Sequence, residues 1–141
     1  MGACHTAKQN FAEAANYFNR AIHIDPHYGP AFYNVALLSL MQNRLEDAER
    51  AARTAADLDR VGSSSRLLLG TALVFQDKFT DEAVTSLEKA RDQFPQAHLL
   101  LARALAARGK RAEARSELES FLAAKPNFGG DLAQSWLKVL R

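Results

Sequence analysis

Apolar residues recur along this chain at the three- and four-residue spacing that gives a helix one apolar face. Short polar stretches, or stretches that contain Pro or Gly, separate the segments. The pattern predicts nine helices, at residues 2–8, 11–24, 29–42, 45–58, 63–76, 80–93, 96–108, 111–123 and 131–140. Strong helix formers such as Ala, Leu, Glu, Arg and Lys dominate the composition, and β-branched residues are sparse. The sequence therefore predicts an all-α fold.

An internal repeat lies in every second helix of this series. A small residue, an apolar residue four positions later and a small or apolar residue three positions after that recur four times, beginning at Ala14, Ala48, Ala83 and Ala114. These alanines are 34, 35 and 31 residues apart, and twelve positions after them stand Pro26, Arg60, Pro95 and Pro126. Because proline cannot occupy a helix interior, three of the four units end at the same place.

The helix before each alanine run carries a second pattern, with the spacing W-x2-L-G-x2-Y, so that its key positions lie three, four and seven residues after the first. It reads Phe32, Val35, Ala36, Ser39, then Arg66, Leu69, Gly70, Leu73, then His98, Leu101, Ala102, Leu105. Together the two patterns resemble the tetratricopeptide repeat, a helix–turn–helix unit of about 34 residues. The resemblance implies a right-handed α-solenoid of antiparallel helix pairs, whose units stack to bury their apolar faces.

The resemblance divides the chain into units at about residues 1–28, 29–62, 63–95 and 96–128, followed by a capping helix within 129–141. Only residues 2–8 remain of the first unit's opening helix, which indicates either a piece of a longer array or a bare N-terminus. Asn10 and Glu13 predict the start of the next helix. The apolar face of the capping helix is Leu132, Ala133, Trp136, Leu137 and Leu140, and we expect Trp136 to lie near Leu118 and Leu122.

Charge and cysteine content exclude several classes of protein. The 18 Lys and Arg and 16 Asp and Glu residues are interleaved and leave a net charge of +2, so the basic stripe of a nucleic-acid-binding protein is missing. The single Cys4 excludes an internal disulfide bond. No run reaches the ~20 apolar residues of a membrane-spanning helix, and no signal-peptide pattern follows Met1. We expect a soluble chain without membrane insertion, in a compartment that the sequence leaves open.

No constellation of residues points to catalysis, a metal or a cofactor. His23 and His27 are separated by Pro26, so they do not share a helical face as a zinc site would require. Cys4 and His5 are adjacent, so on a helix they point about 100° apart, and no acid orients them. We therefore expect a protein that is not an enzyme and that uses no metal or cofactor.

Two of the predicted first helices are apolar on nearly every side, at residues 31–41 and 67–75. The resemblance implies that one side packs inside the stack and the other lines a concave groove for a partner peptide or helix. The lining residues would be Tyr33, Asn34, Leu37, Met41, Leu67, Thr71, Val74, Phe75 and Arg103. Alternatively, these faces bury against each other in a tightly wound array. An apolar groove favours an apolar or amphipathic protein segment as the partner.

Polar residues near this groove exclude one kind of site and leave one question open. Some tetratricopeptide domains bind a carboxylate through a clamp of Lys, Asn and Arg, but here only Asn34 matches, since Ala3, Ser64 and Leu68 occupy the cationic positions. A basic cluster downstream is either a solvated corner or an anchor for acidic groups of a partner. Its members are Arg103, Arg108, Lys110, Arg111 and Arg115.

These features favour a protein–protein interaction scaffold. The alternative is a structural or self-assembly segment of a longer repeat array, in which the apolar faces stack on another copy or on further repeats. The expected state in solution is a monomer or a weak homo-oligomer.

Overall fold

A computed structural model describes residues 3–58, 63–124 and 130–140, and within them the side chains of residues 10–58, 63–124 and 130–139. The described residues form eight α-helices and no strand, which confirms the predicted all-α fold. The predicted unit boundaries near residues 62 and 128 lie outside the described residues. The helices are α1 Ala3–Ile24, α2 Gly29–Met41, α3 Leu45–Leu58, α4 Ser64–Phe75, α5 Asp81–Ala90, α6 Gln96–Ala107, α7 Arg111–Ala123 and α8 Gly130–Leu140.

The first 24 residues differ from the prediction. The apolar pattern predicts two helices, but α1 is one continuous helix, so Asn10 lies inside it and does not cap a helix start. The physical reason is the residue at the expected turn. The turns of the later helix pairs hold a residue with positive φ at Asn43 (60°), Asp77 (58°) and Gly109 (81°). Gln9 stands at the corresponding place, and because Gln rarely adopts this left-handed conformation, the helix continues.

The turns inside the three later helix pairs share one geometry. The residue after the positive-φ position donates its backbone N–H to a carbonyl five residues earlier, from Arg44 to Ser39 (2.8 Å), Lys78 to Leu73 (2.9 Å) and Lys110 to Leu105 (2.8 Å). This Schellman arrangement satisfies carbonyl groups that a helix end otherwise leaves unpaired. It ends α2, α4 and α6 sharply and turns the chain back for the next helix.

Helices that follow one another in the chain pack together, and the first helices of neighbouring pairs also touch. Within the described ranges α4 contacts both α2 and α6, whereas α3, α5 and α7 make no comparably extensive contacts with one another. Because short turns join the helices, each pair is antiparallel. The first helices form one layer and the second helices another, as in a helical repeat solenoid.

The core consists of two clusters of buried apolar side chains. The N-terminal cluster joins α2 to α5 and includes Ala36, Ala52, Leu69 and Leu73. The C-terminal cluster joins α4 to α8 and includes Val74, Leu87, Leu101, Ala102, Leu118 and Leu137. The small residues of the repeat are buried in both clusters, which lets neighbouring helices approach closely. Because α4 contributes to both clusters, it connects the two halves of the solenoid.

Charged side chains bridge the second and third helix pairs. Arg53 on α3 contacts Glu82 on α5 (2.6 Å) and Glu49 on its own helix (3.0 Å). Glu49 also accepts hydrogen bonds from Lys78 Nζ (3.0 Å) and Gln76 Nε2 (2.9 Å). Burial raises the pKa of Glu49, but the hydrogen bonds from Lys78, Gln76 and Arg53 outweigh it, so the pKa lies below its ordinary value of 4.5. This carboxylate therefore stabilises the interface in its charged form.

A second charged group connects the third and fourth pairs. Glu117 on α7 accepts one hydrogen bond from Arg91 at the end of α5. Its other oxygen lies 2.6 Å from Nδ1 of His98 on α6. The carboxylate is largely buried, so it ties three helices together at one point.

Candidate protein-binding surface

The first helices α2, α4 and α6 each present one stripe of residues at equivalent repeat positions. Members of a stripe are four residues apart, and equivalent members are 34 residues apart between α2 and α4 and 32 between α4 and α6. Because α4 contacts both neighbours, the stripes lie side by side. We call their nine residues the first-helix surface: Tyr33, Leu37, Met41, Leu67, Thr71, Phe75, Leu99, Arg103 and Ala107.

Exposure of the first-helix surface rises toward the C-terminal end of each helix. The stripe residues nearest the helix N-termini, Tyr33, Leu67 and Leu99, are half-buried against the two core clusters. In contrast, Met41 is 64% exposed and Phe75 is 51% exposed. Leu37, one turn before Met41, is also exposed. The last turns of α2 and α4 are therefore where large apolar side chains face solvent.

Two of the predicted groove residues do not belong to this surface. Val74 is fully buried in the C-terminal cluster, so it cannot touch a partner, and its predicted place in the groove is wrong. The helix around it is apolar on nearly every side, and the pattern alone did not separate its core side from its exposed side. Asn34 is half-buried and adjoins the stripe of α2 without being part of it.

Arg103 supplies a positive charge to the first-helix surface. Its Nη2 lies 3.2 Å from Asp77 Oδ1, and its guanidinium carbon lies 6.0 Å from the ring centre of Phe79. Both members of the ion pair are well exposed, so their attraction is weak. Thr71 donates its hydroxyl to the Leu67 carbonyl of the same helix (2.7 Å). The surface is thus mainly apolar, with a cation on α6.

Other members of the basic cluster already have contacts within the fold. Arg108 donates to Asp81 (2.6 Å) and to the backbone carbonyl of Phe79 (2.8 Å). Arg111 donates to the backbone carbonyl of Val139 in α8 (3.0 Å). These contacts lie at the surface, so the cluster bridges helices while its cations stay near solvent.

Helix α8 packs on the core as predicted, and it also lines a cavity that the sequence pattern did not predict. Trp136 is half-buried against the C-terminal cluster, to which Leu118 belongs. Trp136 and Val139 also line a cavity beside Arg103 on α6, and sequence reasoning missed this role. The available signal was Val139 itself, an apolar residue outside the predicted apolar face of the helix.

Within the described residues, no group of three or more His, Cys, Asp or Glu side chains is arranged to hold a metal ion. The side chains of Cys4 and His5 lie outside the described ones, while His23 and His27 are exposed. Among the helices that the structure describes, none combines the length and apolar character needed to cross a membrane.

Comparison with known protein families agrees with this architecture. Two family models, both described as tetratricopeptide repeat, match residues 5–69 and 67–127 and together span most of the chain. The chain belongs to the tetratricopeptide repeat family, whose members are generally helical scaffolds for protein–protein interaction and not enzymes. No curated protein matches the chain significantly in sequence.

Solved structures of similar proteins share the fold over much of their length. MamA matches with a TM-score of 0.85 and 18% identity, over 96% of this chain and 79% of that one. YrrB, described as a tetratricopeptide protein with an unusual peptide-binding site, matches at 0.82 and 18%, over 96% and 70% of the two chains. The Yersinia enterocolitica type III secretion chaperone SycD, solved with a peptide of the translocator YopD, matches at 0.68 and 25%, over 77% and 88%.

Proposed function

We propose that this protein is a non-catalytic scaffold that holds an apolar or amphipathic segment of a partner protein on the first-helix surface. The observation that carries the proposal is the exposure of Met41 and Phe75 at equivalent positions of adjacent helices. Exposed apolar patches of this kind commonly mark interaction sites. Other large apolar side chains that the structure describes as exposed, such as Tyr17 on α1 and Val139 on α8, do not lie at equivalent positions of adjacent first helices.

The spacing of the first helices suits a bound helix. Packed helices lie about 8–10 Å apart, and residues i and i+7 of a helix are separated by about 10.5 Å along its axis. An amphipathic segment that crosses α2 and α4 can therefore place one apolar anchor near Met41 and the next near Phe75. Apolar residues seven positions apart are the expected signature of the partner.

Similar proteins support a polypeptide as the partner. SycD is described in complex with a translocator peptide, and YrrB is described as having a peptide-binding site. Those ligands belong to those proteins. For this chain they support the class of ligand, a peptide segment, and leave its sequence to experiment.

A peptide-selection experiment tests the proposal. Peptides would be selected from a displayed random library against the protein, and the affinity of each would be measured by fluorescence polarisation for wild type and two double variants. Met41→Ser with Phe75→Ser removes the apolar row. Tyr17→Ser with Ile24→Ser is the matched control, because both side chains are large, apolar and exposed but lie on α1.

We expect the Met41 and Phe75 variant to bind at least tenfold more weakly and the α1 variant to bind as wild type. Circular dichroism should show the same helical content in all three proteins, because every substituted side chain is largely exposed. Equal binding by the Met41 and Phe75 variant, or a loss confined to the α1 variant, would show that the partner sits elsewhere.

Self-assembly remains a second candidate because of one observation on α1. Tyr17 is 71% exposed and Ile24 is 83% exposed, and within the described residues α1 packs extensively only on α2. Light scattering over a concentration series distinguishes this function from the first. A mass that rises with concentration in wild type, but not in the Tyr17 and Ile24 variant, would support assembly through α1.

A further inference from the structure

A cavity of about 350 Å³ opens between α6 and α8. Ala102, Arg103 and Ala106 form its wall on α6, and Trp136 and Val139 form its wall on α8. Its lining is almost entirely apolar, and Arg103 is the charged residue among those that line it. Arg103 is also a member of the first-helix surface, so the cavity continues that surface toward the C-terminal end of the solenoid.

The size of the cavity limits what can enter it. Ligand sites in proteins usually span roughly 300–1,000 Å³, and this cavity is at the lower end of that range. It can take one large side chain but not the whole face of a helix. Val139 is 71% exposed, so the cavity is open to a segment that approaches from solvent.

Two arginines lie near the cavity. Arg103 lies on one side, and Arg111 is held next to Val139 by its hydrogen bond to that residue's carbonyl. The carboxylate now beside Arg103 is Asp77, and both members of this pair are well exposed. Because an exposed ion pair of this kind is weak, a carboxylate on a bound segment can take the place of Asp77.

We propose that this cavity, the α8 pocket, receives one bulky apolar side chain of a partner segment, and that a carboxylate next to that side chain pairs with Arg103. This rests on the proposed function, because the α8 pocket extends the surface on which the partner lies. It assigns the terminal helix a part in recognition beyond capping the solenoid. An acidic segment with an aromatic or long aliphatic residue is the chemistry that fits.

The proposal can be tested with small probes before the partner is known. The probe is N-acetyl-phenylalaninate, which carries a bulky apolar group and a carboxylate. N-acetyl-phenylalaninamide keeps the ring without the charge, and N-acetyl-alaninate keeps the charge without the ring. Titrations would be followed by amide NMR of the whole chain, where Trp136, the single tryptophan, supplies an indole N–H signal at the pocket.

We expect N-acetyl-phenylalaninate to shift the signals of Ala102, Ala106 and Trp136 with an affinity in the millimolar range. The amide should bind about twofold to fivefold more weakly, the size of an exposed ion pair, and N-acetyl-alaninate should leave the indole signal in place. Asp77→Asn, which removes the competing carboxylate and keeps a residue that tolerates positive φ, should tighten N-acetyl-phenylalaninate binding by a similar factor.

Two substitutions at the pocket and one away from it complete the test. Ala106→Leu should fill the cavity, and Val139→Ser should remove an exposed apolar wall, so each should abolish the probe-induced shifts. Tyr17→Ser on α1 should have no effect. Shifts that survive both pocket substitutions, shifts scattered over the chain, or equal shifts with N-acetyl-alaninate would overturn the proposal. So would indole shifts that follow protein concentration without probe, since a second copy would then occupy the pocket.

The probe titrations and the peptide-binding experiment can fail independently, so failure of the α8 pocket and failure of the proposed function are distinguishable. Failure of the Met41 and Phe75 variant to lose peptide binding would refute the first-helix surface while the probe result still stood. Loss of selected peptides in that variant, together with absence of probe shifts, would leave the scaffold function and remove only the α8 pocket.

Discussion

Leu87 on α5 occupies the space that a side chain on Gly70 of α4 would need. A Cβ atom placed on Gly70 would lie 2.5 Å from Leu87 Cγ and 2.6 Å from Leu87 Cδ2, well inside the distance of ordinary contact. Leu87 is fully buried, so it has no room to withdraw. The equivalent positions in the neighbouring units hold Ala36 and Ala102, which are also buried. The third unit therefore brings its two helices together through a glycine and a leucine.

Gly70→Ala should destabilise the protein despite the better helix propensity of alanine. Overpacking a core costs about 1–3 kcal/mol, and the gain in propensity offsets at most ~1 kcal/mol. Gly29→Ala is the matched control, because the nearest atom to a new Cβ there is Leu58 Cβ at 3.6 Å, an ordinary contact. Urea unfolding should show a loss for Gly70→Ala and no loss for Gly29→Ala. Equal stability of the two variants would contradict the close approach.

The three turns with positive φ all favour glycine, so introducing a glycine and removing one should have opposite effects on stability. Asn43 and Asp77 adopt a left-handed conformation that glycine adopts without steric cost, so Asn43→Gly and Asp77→Gly should stabilise the protein by up to ~1 kcal/mol. Gly109→Ala should destabilise it by about 1 kcal/mol or more, because alanine is strained at this φ. Thermal unfolding of the three variants checks the signs. A gain in Tm for Gly109→Ala would show that its turn has another geometry.

Glu49 should make stability depend on pH in the acid range. Its pKa in the folded protein is below the ordinary value of 4.5, so its contribution is present above that value and is lost as pH falls through the folded pKa. At pH 7, Glu49→Gln should cost about 1 kcal/mol, since the donors around it are partly exposed. Urea unfolding at several pH values should show the difference from wild type shrinking below about pH 4.5. If the difference in unfolding free energy between wild type and Glu49→Gln does not change with pH, the charge of Glu49 does not stabilise this network.

The basic cluster predicts how partner binding responds to salt. If Arg103 and its neighbours attract carboxylates of the partner, affinity should fall as salt rises through the physiological range, where the Debye length is about 8 Å. The measurement is polarisation of acidic and neutral peptides from the same selection. Only the acidic peptides should weaken. If the affinities of acidic and neutral peptides are both independent of salt, the cluster does not attract the partner. Its arginines would then serve only contacts within the fold, such as that between Arg108 and Asp81.

Local sequence signals were sufficient to predict helices α2 to α8. Their ends depend on short-range features such as prolines and left-handed turn residues, and their faces depend on apolar spacing. The wrong prediction of two helices in place of α1 also depends on a short-range feature, the residue at the expected turn. The apolar pattern around Gln9 resembles that of the other units, but the residue type that would make the turn is missing. A test for Asn, Asp or Gly at that position would have predicted the continuous helix.

The residues of the binding surface were harder to predict from the sequence than the helices. Stripes that include Met41, Phe75 and Arg103 follow from the repeat, yet Val74 lies one residue before Phe75 and is fully buried. On a helix that is apolar all round, only the packing of neighbouring helices decides which side stays exposed. The α8 pocket depends on how α8, which packs on α7, is placed beside α6, and no local pattern in either helix encodes that placement.

The packing of α8 predicts where the solenoid opens first when this helix is weakened. Trp136 is half-buried against the C-terminal cluster, so Trp136→Ala should cost about 3 kcal/mol, the lower end for a large aromatic residue. Val139→Ala, at an exposed position of the same helix, should cost little. Because repeat arrays lose stability from an exposed interface inward, hydrogen exchange in the Trp136 variant should speed up in α7 and α8 before α3 and α4. Unchanged stability with uniform protection would mean that Trp136 contributes contacts to a partner and almost none to the fold.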